Sequence, residues 1–274
     1  MTTLDLLPRV HATLVTDRRV LAPGVVLVGF DAPELVAATR PGQYVMAIPP
    51  TGESAATALG IYEAEGKRAS LLFFITGTRT RELSELRPGD RLDVIGPLGN
   101  GFDLSSATSR VAIVAGGVGI ASVLLAAQKL ARSGARITLL YGARTAQLLV
   151  EAQRFSDVGC ELAFATDDGT AGHHGYVTDL LDRSQRTDLI LACGPTPMLR
   201  AVAKAAAALR VRAQLALEET FACGVGGCWG CVVPLAHSSA QAPSFPPAEA
   251  GGSEVVYARV CKEGPVFYSD ELRW

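Results

Sequence analysis

Three of the chain's six cysteines fall in one short run, Cys223-Gly-Val-Gly-Gly-Cys228-Trp-Gly-Cys231, and a fourth, Cys261, stands alone after a long gap. A C-x4-C-x2-C loop followed by one distant Cys is the spacing that ligates a [2Fe–2S] cluster. The requirement is severe, because four thiolates must converge on one small object. Whatever the fold, it must return the segment around Cys261 to the loop at 223–231. Glycines at 224, 226, 227 and 230 let that loop wrap tightly, with backbone N–H groups aimed at sulfur. A structural zinc site and a disulfide are the competing readings. Zinc sites usually pair two short Cys knuckles, and here the fourth Cys is unpaired in sequence.

The chain has 274 residues, enough for two or three domains of ordinary size. A net charge of −2 gives no footprint for nucleic acid. No apolar run reaches membrane-spanning length, since the longest, 111–127, is broken by glycines, so no membrane contact is expected. Residues 1–9 lack the basic and apolar regions of a signal peptide. Four cysteines serve the cluster and Cys160 and Cys193 read as free thiols, a pattern that fits a reducing cytoplasm.

Residues 1–107 read as a β-barrel domain. Short β-branched runs at 10–15, 25–30, 41–49, 71–76 and 91–95 are punctuated by Pro23-Gly24 and Arg87-Pro-Gly-Asp90, with a short helix expected over 82–86. The texture then changes. Residues 108–214 alternate apolar strands (111–115, 137–141, 162–166, 188–193) with helical stretches (120–133, up to 155, from 177, 197–209). That alternation predicts a doubly wound parallel sheet. Residues 215–274 form the cluster segment, interrupted by a Pro/Ser/Ala-rich insertion at 236–253 that reads as a mobile loop. The fold class expected is α/β plus β in three domains.

Two glycine motifs fall at the carboxyl ends of predicted parallel strands, where nucleotides bind. Gly116-Gly117-Val-Gly119 lies at a strand-to-helix junction and Cys193-Gly194-Pro195-Thr-Pro-Met198 follows the fourth strand. Glycines there admit phosphate close to the backbone, and the helix N-terminus adds partial positive charge. Alone the first motif is not a full G-x-G-x-x-G. His173 and His174 read as loop residues near the nucleotide. Glu218 and Glu219 read as local caps or pairs, and Trp229 as a cover for the cluster or a partner contact.

Together these motifs resemble the NAD(P)-binding half of the ferredoxin reductase family. Thr166-Asp-Asp-Gly-Thr-x-Gly-His-His-Gly-Tyr-Val-Thr-Asp179 resembles its second nucleotide loop. Leu217-Glu-Glu-Thr-Phe-Ala-Cys223, Arg259-Val-Cys-Lys-Glu-Gly-Pro-Val-Phe267 and Asp93-Val-Ile-Gly-Pro-Leu-Gly-Asn-Gly-Phe102 narrow it. They resemble the electron-transfer subunit of NAD-dependent, two-subunit dihydroorotate dehydrogenases, over nearly the whole chain. The resemblance implies FAD on the barrel, NAD(H) in the middle domain and [2Fe–2S] at the C-terminus. It also implies electron relay to an FMN-containing catalytic subunit, within a hetero-oligomer serving pyrimidine biosynthesis. No side chain is expected to act as general acid or base, because the cofactors carry the chemistry. Asp167 and Asp168 would repel a 2′-phosphate, which favours NAD over NADP.

The chain departs from the family at the flavin site. The family's Arg-Pro-x-Ser falls at Thr57-Ala-Leu-Gly60, a second family Arg falls near Phe74, and a Gly-Thr pair falls at Arg79-Thr80. Thr57, Gly60, Gly77 and Thr80 are the flavin-side candidate positions; the family's anchors are gone at Thr57, Gly60 and Phe74, and Tyr44, Tyr62, Gly77, Thr80 and the charges Arg79 and Arg81 remain. A pyrophosphate that loses its guanidinium fork is held less tightly, so weak FAD binding is expected. The rival reading is a flavin-free or paralogous iron–sulfur relay that serves a different oxidoreductase.

Overall fold

The computed structural model describes residues 8–50, 55–105, 109–183, 186–236 and 256–274. Most of the 236–253 insertion lies outside the described residues.

The first six strands close on themselves. They are β1 (Arg9–Ala22), β2 (Val25–Asp31), β3 (Tyr44–Ile48), β4 (Thr57–Glu65), β5 (Arg68–Phe74) and β6 (Arg91–Leu98), in barrel order β1-β2-β5-β4-β3-β6. β1 makes closure possible because it is long enough to pair twice. Its first half runs against β6 (Arg9↔Gly96 to Leu14↔Arg91) and its second half against β2. A closed barrel has no unpaired edge. Burial along β6 alternates strictly, and Leu92 and Val94 point into a core with Val26, Val28, Phe30, Val45, Ile61 and Phe73. Two short helices sit on the barrel. α1 (Pro33–Ala38) was not foreseen; it opens on Pro33 and buries only Leu35. α2 (Thr78–Glu85) starts four residues earlier than the sequence reading placed it, because Thr80 Oγ1 accepts the N–H groups of Thr76 (2.9 Å) and Gly77 (3.1 Å) and fixes its first turn.

Six parallel strands follow: β7 (Arg110–Gly116), β8 (Arg136–Ala143), β9 (Glu161–Thr166), the two-residue β10 (His173–His174), β11 (Leu189–Cys193) and β12 (Arg212–Ala216). β7 and β11 are buried almost throughout, because both faces of the sheet are covered. α3 (Leu124–Arg132) and α4 (Ala152–Asp157) cover one face. A 3-10 segment (Val177–Arg183) and α5 (Thr196–Leu209) cover the other.

The cluster segment is sewn into this sheet. β13 (Val232–Pro234) pairs with β14 (Tyr257–Arg259), and β15 (Val266–Tyr268) adds an antiparallel strand beside β12. The full order is β10-β9-β8-β7-β11-β12-β15. Asn100, just past β6, locks the same segment to the barrel. Its Nδ2 donates to the carbonyls of Glu263 (2.9 Å) and Val266 (2.7 Å), and its Oδ1 accepts the Val266 N–H. The return of the chain that the lone Cys261 demanded is thus made by one strand and one asparagine.

Candidate functional site

Sheet order reverses beside β7. From β7 the chain steps outward to β8 and β9, then returns to β11 on the other side. Such a switch point leaves a crevice outside the carboxyl ends of the strands. There the structure opens a cavity of about 590 Å³ lined by Gly116, Gly117, Gly142, Arg144, Asp167, Tyr176, Pro195 and Met198 among others. Gly116, Gly117 and Pro195 therefore lie where the motif reading put them. Gly117 has φ +53, which favours glycine, and Gly194 comes close against Gly116. Gly119 lines neither cavity. A Cβ there would stand 2.1 Å from the Cys193 carbonyl oxygen, so this glycine lets β7's turn pack directly on β11. His173 Nε2 lies 2.9 Å from Asp179 Oδ2, which also accepts the Tyr176 N–H, and so pins the loop that carries Tyr176.

A second groove, about 280 Å³, runs between barrel and sheet. Thr57, Gly60, Thr80, Tyr44, Phe74, Ser122, Cys193, Glu218 and Phe221 line it, while Gly77 caps α2 beside it. Cys193 thus serves this groove rather than the larger cavity. Gly60 is needed for the fit, since a Cβ there would meet Ser122 Oγ at 2.6 Å. Glu218 is the residue the sequence reading misjudged. It is no local cap: it lines both cavities, and the Cys193 thiol donates to its Oε1 at 3.8 Å. Burial pushes its carboxyl above the ordinary carboxylate range, and the Cys193 thiol opposes this more weakly. Burial likewise drives Cys193 upward, and the Glu218 charge adds to it.

These linings fit an aromatic ring system better than an anion. Tyr44, Phe74 and Phe221 offer apolar surface, whereas the charged residues among the lining are Glu218 and Glu219. Arg79 lies at the rim, where its Nη1 donates to the Ala56 carbonyl at 3.1 Å. It is the guanidinium nearest to hand for a pyrophosphate.

The thiols meet at the far side of Tyr44. Its hydroxyl lies 2.7 Å from the Gly224 carbonyl and 2.9 Å from that of Cys261, donating to one at a time, and its ring packs 5.1 Å from Phe221. The loop hugs the barrel so closely that a Cβ on Gly224 would reach Met46 Sδ at 2.4 Å. Cys223 Sγ accepts the N–H groups of Gly227 (3.3 Å) and Cys228 (3.4 Å), Cys228 Sγ that of Gly230, and Cys231 Sγ that of Cys261. Partial burial raises the Cys223 thiol, but N–H groups of Val225, Cys228 and Gly227 and the Cys228 thiol outweigh it and bring it down to about 6. Burial and the neighbouring Cys231 thiol push Cys261 up to about 12. Backbone N–H contacts to sulfur link the donors in two pairs, Cys228 to Cys223 and Cys261 to Cys231. Among the described residues no three His, Cys, Asp or Glu side chains converge as one ion requires. Two donor pairs lined with N–H groups suit a two-iron cluster better than a single zinc. Arg259 braces the loop: it pairs with Glu263, donates to the Gly226 carbonyl at 2.7 Å and lies 4.6 Å over the Trp229 ring.

Comparison with known proteins bears on these three regions at once. Residues 113–204 match the oxidoreductase NAD-binding domain family. A relative from Desulforamulus reducens is 33% identical over 263 residues, covering 93% of this chain and 94% of its own, and is a dihydroorotate dehydrogenase B (NAD(+)) electron transfer subunit. This chain belongs to that family. The corresponding subunit from Bacillus caldolyticus is 38% identical, over 77% of this chain and 72% of its own. Among solved structures, that of an NADH-dependent reduced ferredoxin-NADP oxidoreductase superposes with a TM-score of 0.81 at 28% identity, covering 96% of this chain and 90% of that one. A ferredoxin reductase of carbazole 1,9a-dioxygenase, at 21% identity and a TM-score of 0.65, shares the fold over 75% of this chain and 67% of its own. As a member of that family, the chain is an oxidoreductase component for NAD-linked electron transfer. Among the described residues no helix is long and apolar enough to cross a membrane.

Proposed function

We propose that this subunit carries electrons from NADH to the FMN-type catalytic subunit of a cytoplasmic dihydroorotate dehydrogenase, in a hetero-oligomer. Its parts are a barrel domain at 1–107, a nucleotide domain at 108–214 and a cluster domain at 215–274. FAD would lie in the barrel–sheet groove at Thr57, Gly60, Gly77 and Thr80. NAD(H) would lie across Gly116, Gly117 and Pro195, with Gly119 and Gly194 packing the turns that carry them and Cys193 turned to the groove, and a [2Fe–2S] cluster would lie on Cys223, Cys228, Cys231 and Cys261. When bound, the flavin supplies conversion between two-electron and one-electron chemistry, and the cluster supplies single-electron transfer.

The protein's own contribution is placement. The observation that carries the reading is Tyr44, which lines the groove with its ring and holds both ends of the thiol set through its hydroxyl. One side chain therefore separates groove from thiols. Phe74 lines both cavities, so the nucleotide cavity and the groove adjoin. Loop N–H groups aimed at Cys223, Cys228 and Cys231 stabilise thiolate over thiol.

Iron and acid-labile sulfide in anaerobically purified protein test this. Cys261→Ala is expected to lose most iron and the visible bands, whereas Cys160→Ala keeps both, since Cys160 lies in the core of the nucleotide domain. Full iron in Cys261→Ala, or one zinc and no sulfide in the wild type, would sink the cluster assignment.

A further inference from the structure

The proposed reaction site uses the carboxyl ends of the parallel strands. A separate cavity of about 370 Å³ opens at their amino ends, lined by Arg110, Arg136, Thr138, Glu161, Arg186 and an apolar floor. We propose that it binds a small phosphate ester with an apolar or aromatic body.

The charges are arranged against the interest of the fold alone. Arg110 and Arg136 open neighbouring strands as register partners. Like charges directly opposite each other destabilise a sheet. Arg186 adds a third guanidinium from a loop, in the left-handed region at φ +52, which is uncommon for a non-glycine residue. Arg110 is paired with Asp188 at 3.0 Å. Among the described residues Arg136 and Arg186 take part in none of the ion pairs. Arg110 Nε is buried without a hydrogen-bond partner. Among the described residues three arginines and one carboxylate, Glu161, line the cavity and Asp188 pairs with Arg110, so a positive excess remains over it.

The floor restricts the ligand further. Leu140, Ala163 and Leu180 make it apolar, and Thr138 adds a hydroxyl. Inorganic phosphate would satisfy the cations and leave that floor wet. An uncharged apolar molecule would cover the floor and leave the guanidinium groups unmatched. A phosphate ester does both, and guanidinium forks match phosphate oxygens in pairs. The volume lies in the usual range of small-ligand sites, roughly 300–1,000 Å³. β8 has eight residues between its two ends. The arginines lie at one end of it and Gly142 and Ala143 of the nucleotide cavity at the other, so the two mouths open on opposite ends of the sheet while their floors, at Leu140 and Gly142, come within two residues of each other.

Ligand-observed NMR of the full chain, with saturating NAD+ present and phenyl phosphate as the probe, tests the site. Saturable binding is expected, at least tenfold tighter than that of inorganic phosphate. Arg136→Gln combined with Arg186→Gln should weaken it at least tenfold; both lie outside the Arg110–Asp188 pair, so the fold is kept. Arg132→Gln, on the surface of α3, should leave it unchanged. Unaltered binding in the double variant, displacement of the probe by NAD+, or equal affinity for inorganic phosphate would each overturn the proposal. The same NAD+ titration separates this test from the electron-transfer reading, because failure of NAD+ itself to bind would strike that reading instead.

Discussion

Glu218 lies where the two cavities meet, and its buried carboxyl ties stability to pH. Burial raises its proton affinity in the folded chain above that in the unfolded one. Between those two pKa values the unfolded state has released its proton and the folded state has kept it. Stability from this group is therefore full below the unfolded pKa and is lost as pH rises through the folded one. Glu218→Gln removes the titration while keeping the shape. The variant should match wild type near about pH 4 and melt at higher temperature above about pH 7. A melting curve of the wild type that is flat over that range, or one the variant tracks in parallel, would refute the assignment. Nothing in Leu217-Glu-Glu-Thr reveals this. The carboxyl is buried only because β12 delivers it under the barrel, a contact between segments far apart in sequence.

At the scale of elements, β7 and its turn were legible in the chain. Five apolar residues followed by Gly-Gly-Val-Gly can only be a buried strand entering a close turn. The helix was expected from 120, yet α3 starts at Leu124, because a 3-10 segment (Gly117–Ser122) comes first. That tighter turn presses Gly119 against the carbonyl of Cys193. Gly119→Ala should therefore destabilise the protein by about 1–3 kcal/mol, the scale of overpacking. A denaturant midpoint unchanged from wild type would show that β11 can yield. Periodicity also missed β15, since three residues carry too little pattern, and α1, whose short run buries one leucine.

For the whole molecule the open balance is between ring and phosphate in the barrel groove. Its lining suits an isoalloxazine, while Arg79 at the rim is the guanidinium nearest to a pyrophosphate. FAD titrated into the isolated subunit, followed by fluorescence quenching, should therefore bind weakly and wash out. Arg79→Ala should cost a further 1–3 kcal/mol or so, the usual scale for a lost charged hydrogen bond. Tight stoichiometric binding that ignores Arg79 would mean the phosphates are held elsewhere. An absorption spectrum with cluster bands alone, even in the assembled complex, would favour the flavin-free relay.

The sequence by itself determined the barrel-then-sheet order and the glycine turns and carries the cysteine spacing behind the proposed cluster, because each is written in spacing, periodicity or backbone permissiveness that a short stretch carries alone. The tertiary structure decided the rest. It grouped the thiols into two pairs, gave Cys193 and Glu218 to the groove, made Tyr44 the bridge between groove and thiols, and gathered three arginines at the opposite end of the sheet. Those are properties of where distant segments meet, fixed by β1 closing the barrel and β15 returning to the sheet. No local pattern encodes a partner that lies a hundred residues away.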